Sequence, residues 1–214
     1  MLKTFLRGLL ISIWILLLES SAFAAVNFPG WRRIVIGSVA SLQYPQTIEI
    51  QNDNYRKISG KPSPKYNNII LQQKGLNKMT PDGRSRYARV LFETNKSELG
   101  VHLYDKLVFT KSELKEFDEI VYKKIVQEGI LLNNRILARK PLQVININGV
   151  DCLYHSYARQ MSNQPVVIVH SFVFFNNQYI HKLTISYRDS EKSYWNAPGY
   201  DIRRIVQTLD IKAQ

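Results

Sequence analysis

Residues 142–159 have the sequence LQVININGVDCLYHSYAR, which predicts two β-strands joined by a tight turn. The dipeptide Asn148-Gly149 is best suited to a two-residue hairpin loop, because both positions tolerate positive φ. We expect the strands at 142–147 and 150–159. This hairpin predicts an antiparallel sheet in the C-terminal half of the chain.

The chain after this hairpin predicts further strands of the same sheet. In sequence order we expect a polar loop at 161–164, a strand at 166–175, a turn at Asn176-Asn177 and a strand at 179–188. In the last strand, apolar residues alternate with polar ones, which predicts one buried face and one face toward solvent. The C-terminal half is therefore predicted to be a β-meander.

The chain before the hairpin predicts shorter strands and more turns. The apolar stretch 31–42 contains Gly37 and predicts an edge strand or a bent strand. Pro45 is expected to separate two short strands. The remaining predicted elements are a polar loop at 52–66, strands at 68–74 and 86–94, and a turn at Pro81-Asp82-Gly83.

Two helices are predicted from the spacing of apolar residues. The first lies at 110–128, with Thr110 or Ser112 as its cap and Gly129 as its end. Its apolar face consists of Leu114, Phe117, Ile120, Val121 and Ile125. The second spans 201–209, with Asp201 as its cap and a buried face of Ile202, Ile205, Val206 and Leu209.

Together these elements predict a single α/β (α+β) domain at 25–214, in which an antiparallel sheet packs with a mid-chain helix and a C-terminal helix. Its features include SLQYPQTIEI at 41–50, the mid-chain helix, the Asn148-Gly149 hairpin, HKLTISYR at 181–188, and Trp195 before the closing helix. This set resembles the PsbP-like superfamily, which includes a photosystem extrinsic protein, the Ran-binding Mog proteins and exported bacterial proteins. The resemblance implies a PsbP-like sandwich, no shared catalytic residues, and a role in docking onto proteins or larger assemblies.

Residues 1–24 predict a cleavable signal peptide. Lys3 and Arg7 are followed by an uninterrupted apolar run at 9–18, and Ala22-Phe23-Ala24 provides the small residues that a signal peptidase requires. The apolar run is shorter than the roughly 20 residues that span a bilayer. We therefore expect cleavage after Ala24 and a periplasmic or secreted protein, with an uncleaved membrane anchor as the alternative.

The charge balance favours anionic partners. Lysine and arginine number 29 against 17 aspartate and glutamate residues, a formal net charge of +12. Phospholipid headgroups, acidic glycans and acidic proteins are attracted by such an excess, and export makes nucleic acid the least expected partner. Because the basic residues are spread out, the alternative is that they only keep the protein soluble.

Several basic and aromatic residues are candidate binding groups. Trp31 with its neighbours Arg32 and Arg33 could form an aromatic-cationic surface. The other basic candidates are Arg84 and Arg86 after the predicted turn, Arg203 and Arg204 on the last helix, and Lys61 and Lys65 in the polar loop. Three aromatic residues, Tyr194, Trp195 and Tyr200, could line a ligand groove between helix and sheet, or simply pack in the core.

The histidines are weak candidates for a metal site. If the loop at 161–164 closes tightly, His155 faces His170, and His181 lies on the same face of the sheet. Three imidazoles on one face could bind a transition metal, although this depends on an assumed strand register. Histidines that are hydrogen-bonded individually are the alternative. Cys152, the single cysteine, is expected to be a buried strand residue without a catalytic role.

These observations predict an exported, non-enzymatic binding or accessory protein that docks onto a protein or an anionic envelope component. Peripheral contact with a membrane fits this role, and no cofactor is expected. The motifs GxSxG, HExxH and CxxC and the P-loop do not occur in the sequence. Two alternatives remain: a carrier of a small ligand or lipid, with a pocket between the sheet and the mid-chain helix, and a hydrolase or metal-dependent enzyme that uses the histidine face.

Overall fold

The computed structural model describes residues 25–52, 68–198 and 200–213. The predicted signal peptide, and all but one residue of the predicted loop at 52–66, lie outside these ranges, as do Lys61 and Lys65. Within the described ranges, no helix combines the length and the apolar character that a membrane span requires.

Antiparallel strands dominate the described structure. They are β1 (Arg32–Ile36), β2 (Ala40–Tyr44), β3 (Ile48–Ile50), β4 (Ile69–Gln73), β5 (Ala88–Val101), β6 (Asn134–Ile147), β7 (Val150–Met161), β8 (Val167–Arg188) and β9 (Asp210–Ile211). One sheet has the order β1-β2-β9, and the other has the order β3-β4-β5-β8-β7-β6.

Helices are fewer and mostly short. In the described ranges the α-helices are Pro81–Ser85, Lys111–Leu131 (the long helix) and Lys192–Trp195. Short 3-10 helices occupy Leu76–Lys78, Asp189–Glu191 and Ile202–Thr208. The last of these buries Ile202, Ile205 and Val206 and is capped by Asp201, whose side chain accepts a hydrogen bond from Arg203 N. The predicted closing helix is therefore confirmed in position and buried face.

The main core lies between the two sheets. Phe92 and Ile185 from the six-stranded sheet are fully buried in one cluster with Leu42 of β2 and Ile205 of the last 3-10 helix. Each such side chain contributes roughly 1.5–3 kcal/mol when it leaves water. The long helix packs on β6. This arrangement of antiparallel sheets and helices confirms the predicted α/β class.

Local signals in the sequence place the hairpin and the start of the long helix correctly. Asn148 and Gly149 have φ values of 52° and 83°, and Ile147 pairs with Val150 across the turn.

The predicted end of the long helix at Gly129 is wrong, because the helix continues to Leu131. Gly129 is buried, and a Cβ there would lie 3.1 Å from Asn134 O. Close packing against the returning chain explains this glycine.

Two predictions for the strands are also wrong. Asn176-Asn177 does not form a hairpin, because β8 runs without a break from Val167 to Arg188. Asn177 has a φ of 56° and lies at a change of partner: residues 167–173 pair with β7, and residues 177–187 pair with β5. The stretch 31–42 is a hairpin of β1 and β2 that turns at Gly37, where φ is 51°, rather than one bent strand.

Candidate functional site

An open cleft of about 650 Å³ lies beside the start of β1 and the end of β4. Segments that are far apart in the sequence form it: the chain before β1, the β2–β3 turn, the chain after β4, and the segment that follows β8. Its side chains include Trp31, Lys74, Arg86, Tyr194, Trp195 and Tyr200. We call this the aromatic cleft.

Ring contacts hold one wall of the aromatic cleft together. The Tyr194 ring stacks on Tyr200 with centroids 5.6 Å apart and meets Trp195 edge-on at 4.8 Å. The guanidinium carbon of Arg86 lies 4.3 Å from the centre of the Tyr194 ring, a cation–π geometry. Arg86 Nε also lies 4.0 Å from Glu191 Oε2. The stacked Arg86 is therefore held in one orientation at the cleft.

The floor of the aromatic cleft is a tightly packed turn. Thr80 Oγ1 accepts a hydrogen bond from Gly83 N at 3.2 Å and donates one to Gly75 O at 3.2 Å. Gln73 Nε2 donates a hydrogen bond to Gly83 O, and its Oε1 accepts one from Ala88 N at 3.1 Å. These bonds fix Gly75, which lines the cleft with a φ of 91°.

Two buried polar atoms in the cleft lining have no hydrogen-bond partner among the described residues. They are the indole Nε1 of Trp195 and the hydroxyl of Thr47. A buried polar group without a partner is unfavourable by about 1–3 kcal/mol. Both atoms are buried behind the cleft surface, so each is an unsatisfied group of the packing around the cleft.

The aromatic cleft brings together only part of the predicted basic and aromatic set. Trp31 and Arg86 line it, while Arg32 and Arg84 are exposed elsewhere. Arg33 forms an ion pair with Asp210 at 3.5 Å. Arg203 and Arg204 both lie near Asp201, at 3.0 and 3.8 Å, and neither lines the cleft.

The three aromatics predicted to line a ligand groove all line the aromatic cleft. Tyr194, Trp195 and Tyr200 lie against the turns after β2 and β4, without any contribution from the long helix. Between the long helix and the sheet, the cavity at Tyr122 and His155 measures only about 10 Å³, the size of a single water molecule at most. That cavity is too small for a carrier ligand. Lys74 and Thr47 were missed, because nothing in their local sequence distinguishes them from ordinary turn residues.

The histidines do not share one face of the sheet as the assumed register required. In the observed register His155 pairs with Ser171 and His170 pairs with Ser156, so His155 and His170 point to opposite faces. In the described part of the chain, no group of three His, Cys, Asp or Glu side chains is placed to hold a metal ion. The predicted pairing of His155 with His170 is therefore wrong, because β7 and β8 are shifted by one residue from the assumed register.

Each of these histidines instead packs within the fold: His155 and His181 are buried, and His170 is partly buried. His170 Nδ1 lies 2.9 Å from the Tyr154 hydroxyl, and its Nε2 lies 3.3 Å from the Tyr187 hydroxyl. His181 is fully buried, with hydrogen-bond partners at both ring nitrogens. Burial lowers the pKa of His155, His170 and His181 to about 4, so all three rings are neutral at pH 7.

Cys152 lies fully buried in β7, as its apolar neighbours predicted. Burial, and to a lesser degree the nearby Asp151, raises the pKa of the thiol to about 12. Because the thiolate is the reactive form, this cysteine is a poor nucleophile at neutral pH.

Comparison with known proteins identifies the fold. Cyanobacterial PsbP (CyanoP) from Synechocystis sp. PCC 6803 aligns over 88% of this chain and 96% of its own, with a TM-score of 0.50 and 10% identity. A protein from Bacteroides thetaiotaomicron VPI-5482 aligns over 86% of this chain and 50% of its own, with a TM-score of 0.45 and 10% identity. No protein-family model and no curated protein sequence matches the chain. At this level of identity the similarity concerns architecture, and the chain has a PsbP-like α/β fold.

Proposed function

We propose that this protein is an exported, non-enzymatic binding protein that docks onto a partner protein through the aromatic cleft. The observation that carries the proposal is the concentration of four aromatic side chains with Arg86 and Lys74 in one open cleft. Tryptophan, tyrosine and arginine are the residues that dominate the binding energy of protein interfaces. Their collection from three separate segments favours a binding role for this surface.

The charges around the aromatic cleft favour an acidic segment of the partner. Lys74 and Arg86 line it together with one carboxylate, that of Asp82, and the carboxylate of Glu191 lies 4.0 Å from Arg86 Nε without lining the cleft. A guanidinium that is already oriented on a tyrosine ring can bind a carboxylate through two parallel hydrogen bonds. We therefore expect binding to weaken as salt is raised, since exposed charges are screened.

Site-specific photo-crosslinking in the producing cells tests this proposal. A photoreactive residue in place of Tyr200 should crosslink to one discrete partner protein, identified by mass spectrometry. The same residue in place of Val35, an exposed side chain on β1 that does not line the cleft, is the matched control. Arg86→Gln and Trp31→Ala should each reduce the crosslink from position 200. A crosslink that is equal from both positions, or that survives both substitutions, would contradict the proposal.

A carrier of a small ligand is the second candidate, because about 650 Å³ lies within the usual range of ligand pockets, roughly 300–1,000 Å³. Both tryptophans of the described part of the chain, Trp31 and Trp195, line the aromatic cleft. Their fluorescence therefore reports its occupancy. Native mass spectrometry of the gently purified protein separates the two candidates: a retained small molecule, lost in Trp31→Ala, favours the carrier.

A further inference from the structure

The end of the long helix exposes an unusual group of large apolar side chains. Ile130, Leu131 and Leu132 are 69%, 84% and 58% exposed, and Met161 at the end of β7 is 48% exposed. Ser162 N donates a hydrogen bond to Asn133 O at 3.1 Å, and Met161 pairs with the residue after Asn133, so the helix end and the β7–β8 turn lie side by side. We call these four apolar residues the apolar tip.

We propose that the apolar tip inserts into the surface of an anionic lipid bilayer. Successive helical residues are about 100° apart, so Ile130, Leu131 and Leu132 together point over roughly 200° around the helix axis. A single flat protein surface would cover only part of that range. A fluid acyl layer surrounds a protruding tip on all sides and can bury all three side chains, as interfacial helices do.

The charges around the tip identify the bilayer as anionic. From residue 123 to residue 135, around the helix end, Lys123, Lys124 and Arg135 outnumber the single carboxylate of Glu128. These three cations are exposed, with Lys123 and Lys124 in the last two turns of the helix before the tip and Arg135 after it. Long basic side chains can bury their stems along an apolar surface while their charged heads reach lipid phosphates. Contact between two copies through this tip would bring the same cations together, which is unfavourable.

Vesicle sedimentation tests the proposal with the protein purified from cells that express the full chain. Vesicles of phosphatidylcholine with phosphatidylglycerol are compared with vesicles of phosphatidylcholine alone. The double variant Ile130→Ser/Leu131→Ser should bind the anionic vesicles with about tenfold lower affinity or worse. The matched control is Val35→Ser/Leu99→Ser, whose side chains are 62% and 61% exposed but lie outside the tip. It should bind as the unchanged protein does.

A second measurement gives a signal that simple loss of folding cannot produce. In Leu131→Trp, the added tryptophan emission should shift to shorter wavelength on anionic vesicles and be quenched by lipids brominated in their acyl chains. The proposal is overturned if the unchanged protein does not bind these vesicles, if it binds neutral vesicles equally well, or if the tip variant binds as the control does. Self-association that Ile130→Ser/Leu131→Ser abolishes would also overturn it, because a second copy would then cover the tip.

Discussion

At the residue scale, His181 illustrates how a polar side chain is accommodated in this core. Asn176 Nδ2 donates one hydrogen bond to Lys212 O at 2.9 Å and another to His181 Nε2 at 3.0 Å. His181 Nε2 is therefore the acceptor, and Nδ1 carries the proton toward Thr94 Oγ1, 3.0 Å away. In the neutral ring both nitrogens therefore have hydrogen-bond partners. A second proton, on Nε2, would remove the acceptor of the Asn176 hydrogen bond.

Gly83 is the residue whose enlargement should disturb the aromatic cleft most directly. A Cβ at this position would lie 2.5 Å from Gly75 C and 2.6 Å from Leu76 N, which are backbone atoms that cannot rotate away. We expect Gly83→Ala to destabilise the fold by about 1–3 kcal/mol, as overpacking of a tight site usually does. Urea unfolding followed by tryptophan fluorescence measures this change.

The neighbouring substitution Arg84→Ala is the control for Gly83→Ala, because Arg84 is exposed on the same short helix. We expect it to change the free energy of unfolding by less than about 0.5 kcal/mol. Equal stability of the two variants would show that the turn after β4 is looser than the structure indicates.

At the element scale, one buried carboxylate connects the long helix to the edge strand β6. Asp118 Oδ2 accepts a hydrogen bond from Arg139 Nη1 at 2.6 Å, and Oδ1 accepts one from the buried backbone N–H of Leu142 at 2.8 Å. Arg139 also stacks over Tyr122, 4.3 Å from the ring centre. Phe117 and Ile120 of the predicted apolar face remain exposed. Apolar packing on the sheet is therefore only partial, and polar contacts contribute to the attachment.

Removal of this carboxylate should weaken the attachment of the long helix. Asp118→Ala leaves Leu142 N and the Arg139 guanidinium without their acceptor, so we expect a loss of about 2–4 kcal/mol in unfolding free energy. Glu119→Ala, one position along on the exposed side, is the control. Hydrogen exchange should show faster exchange across residues 111–131 in Asp118→Ala than in Glu119→Ala. Similar exchange in both variants would mean that packing alone holds the helix.

At the scale of the whole molecule, three histidines that are buried or partly buried make stability depend on pH. Unfolded imidazoles titrate near pH 6.5, whereas burial lowers the pKa of His155, His170 and His181 to about 4 in the folded protein. Between these values the unfolded state binds more protons, so the free energy of unfolding rises with pH. The stabilisation is complete above about pH 6.5 and is lost as pH falls toward 4.

We therefore expect urea unfolding to become easier as pH falls from 7 to 4.5, by up to about 1.4 kcal/mol per pH unit for each buried histidine. His181→Gln, with an amide in place of the imidazole, should reduce this slope, although it also lowers stability at pH 7. Substitution of the exposed His102 removes an imidazole that is not buried and serves as the control. A slope that is the same in His181→Gln and the unchanged protein would contradict the assignment.

Much of the local structure could be predicted because its causes lie within a few residues. Asn148-Gly149 turns the chain through positive φ values that these two residues tolerate. Thr110 and Glu113 form a reciprocal capping box, in which the Thr110 hydroxyl accepts from Glu113 N and the Glu113 carboxylate accepts from Thr110 N. For the same reason Asp201 was found as a cap from the sequence.

The sequence by itself determined these turns, caps and alternating strands, and with them the α/β class. Only the tertiary structure decided the continuity of β8, the register that separates His155 from His170, and the assembly of the aromatic cleft. Asn176-Asn177 could have formed a turn, but β7 and β5 pair with successive parts of one strand and hold it extended. Strand pairing and the placement of Trp31 and Tyr194 in one cleft depend on contacts between distant residues, and the local pattern of a chain does not specify those contacts.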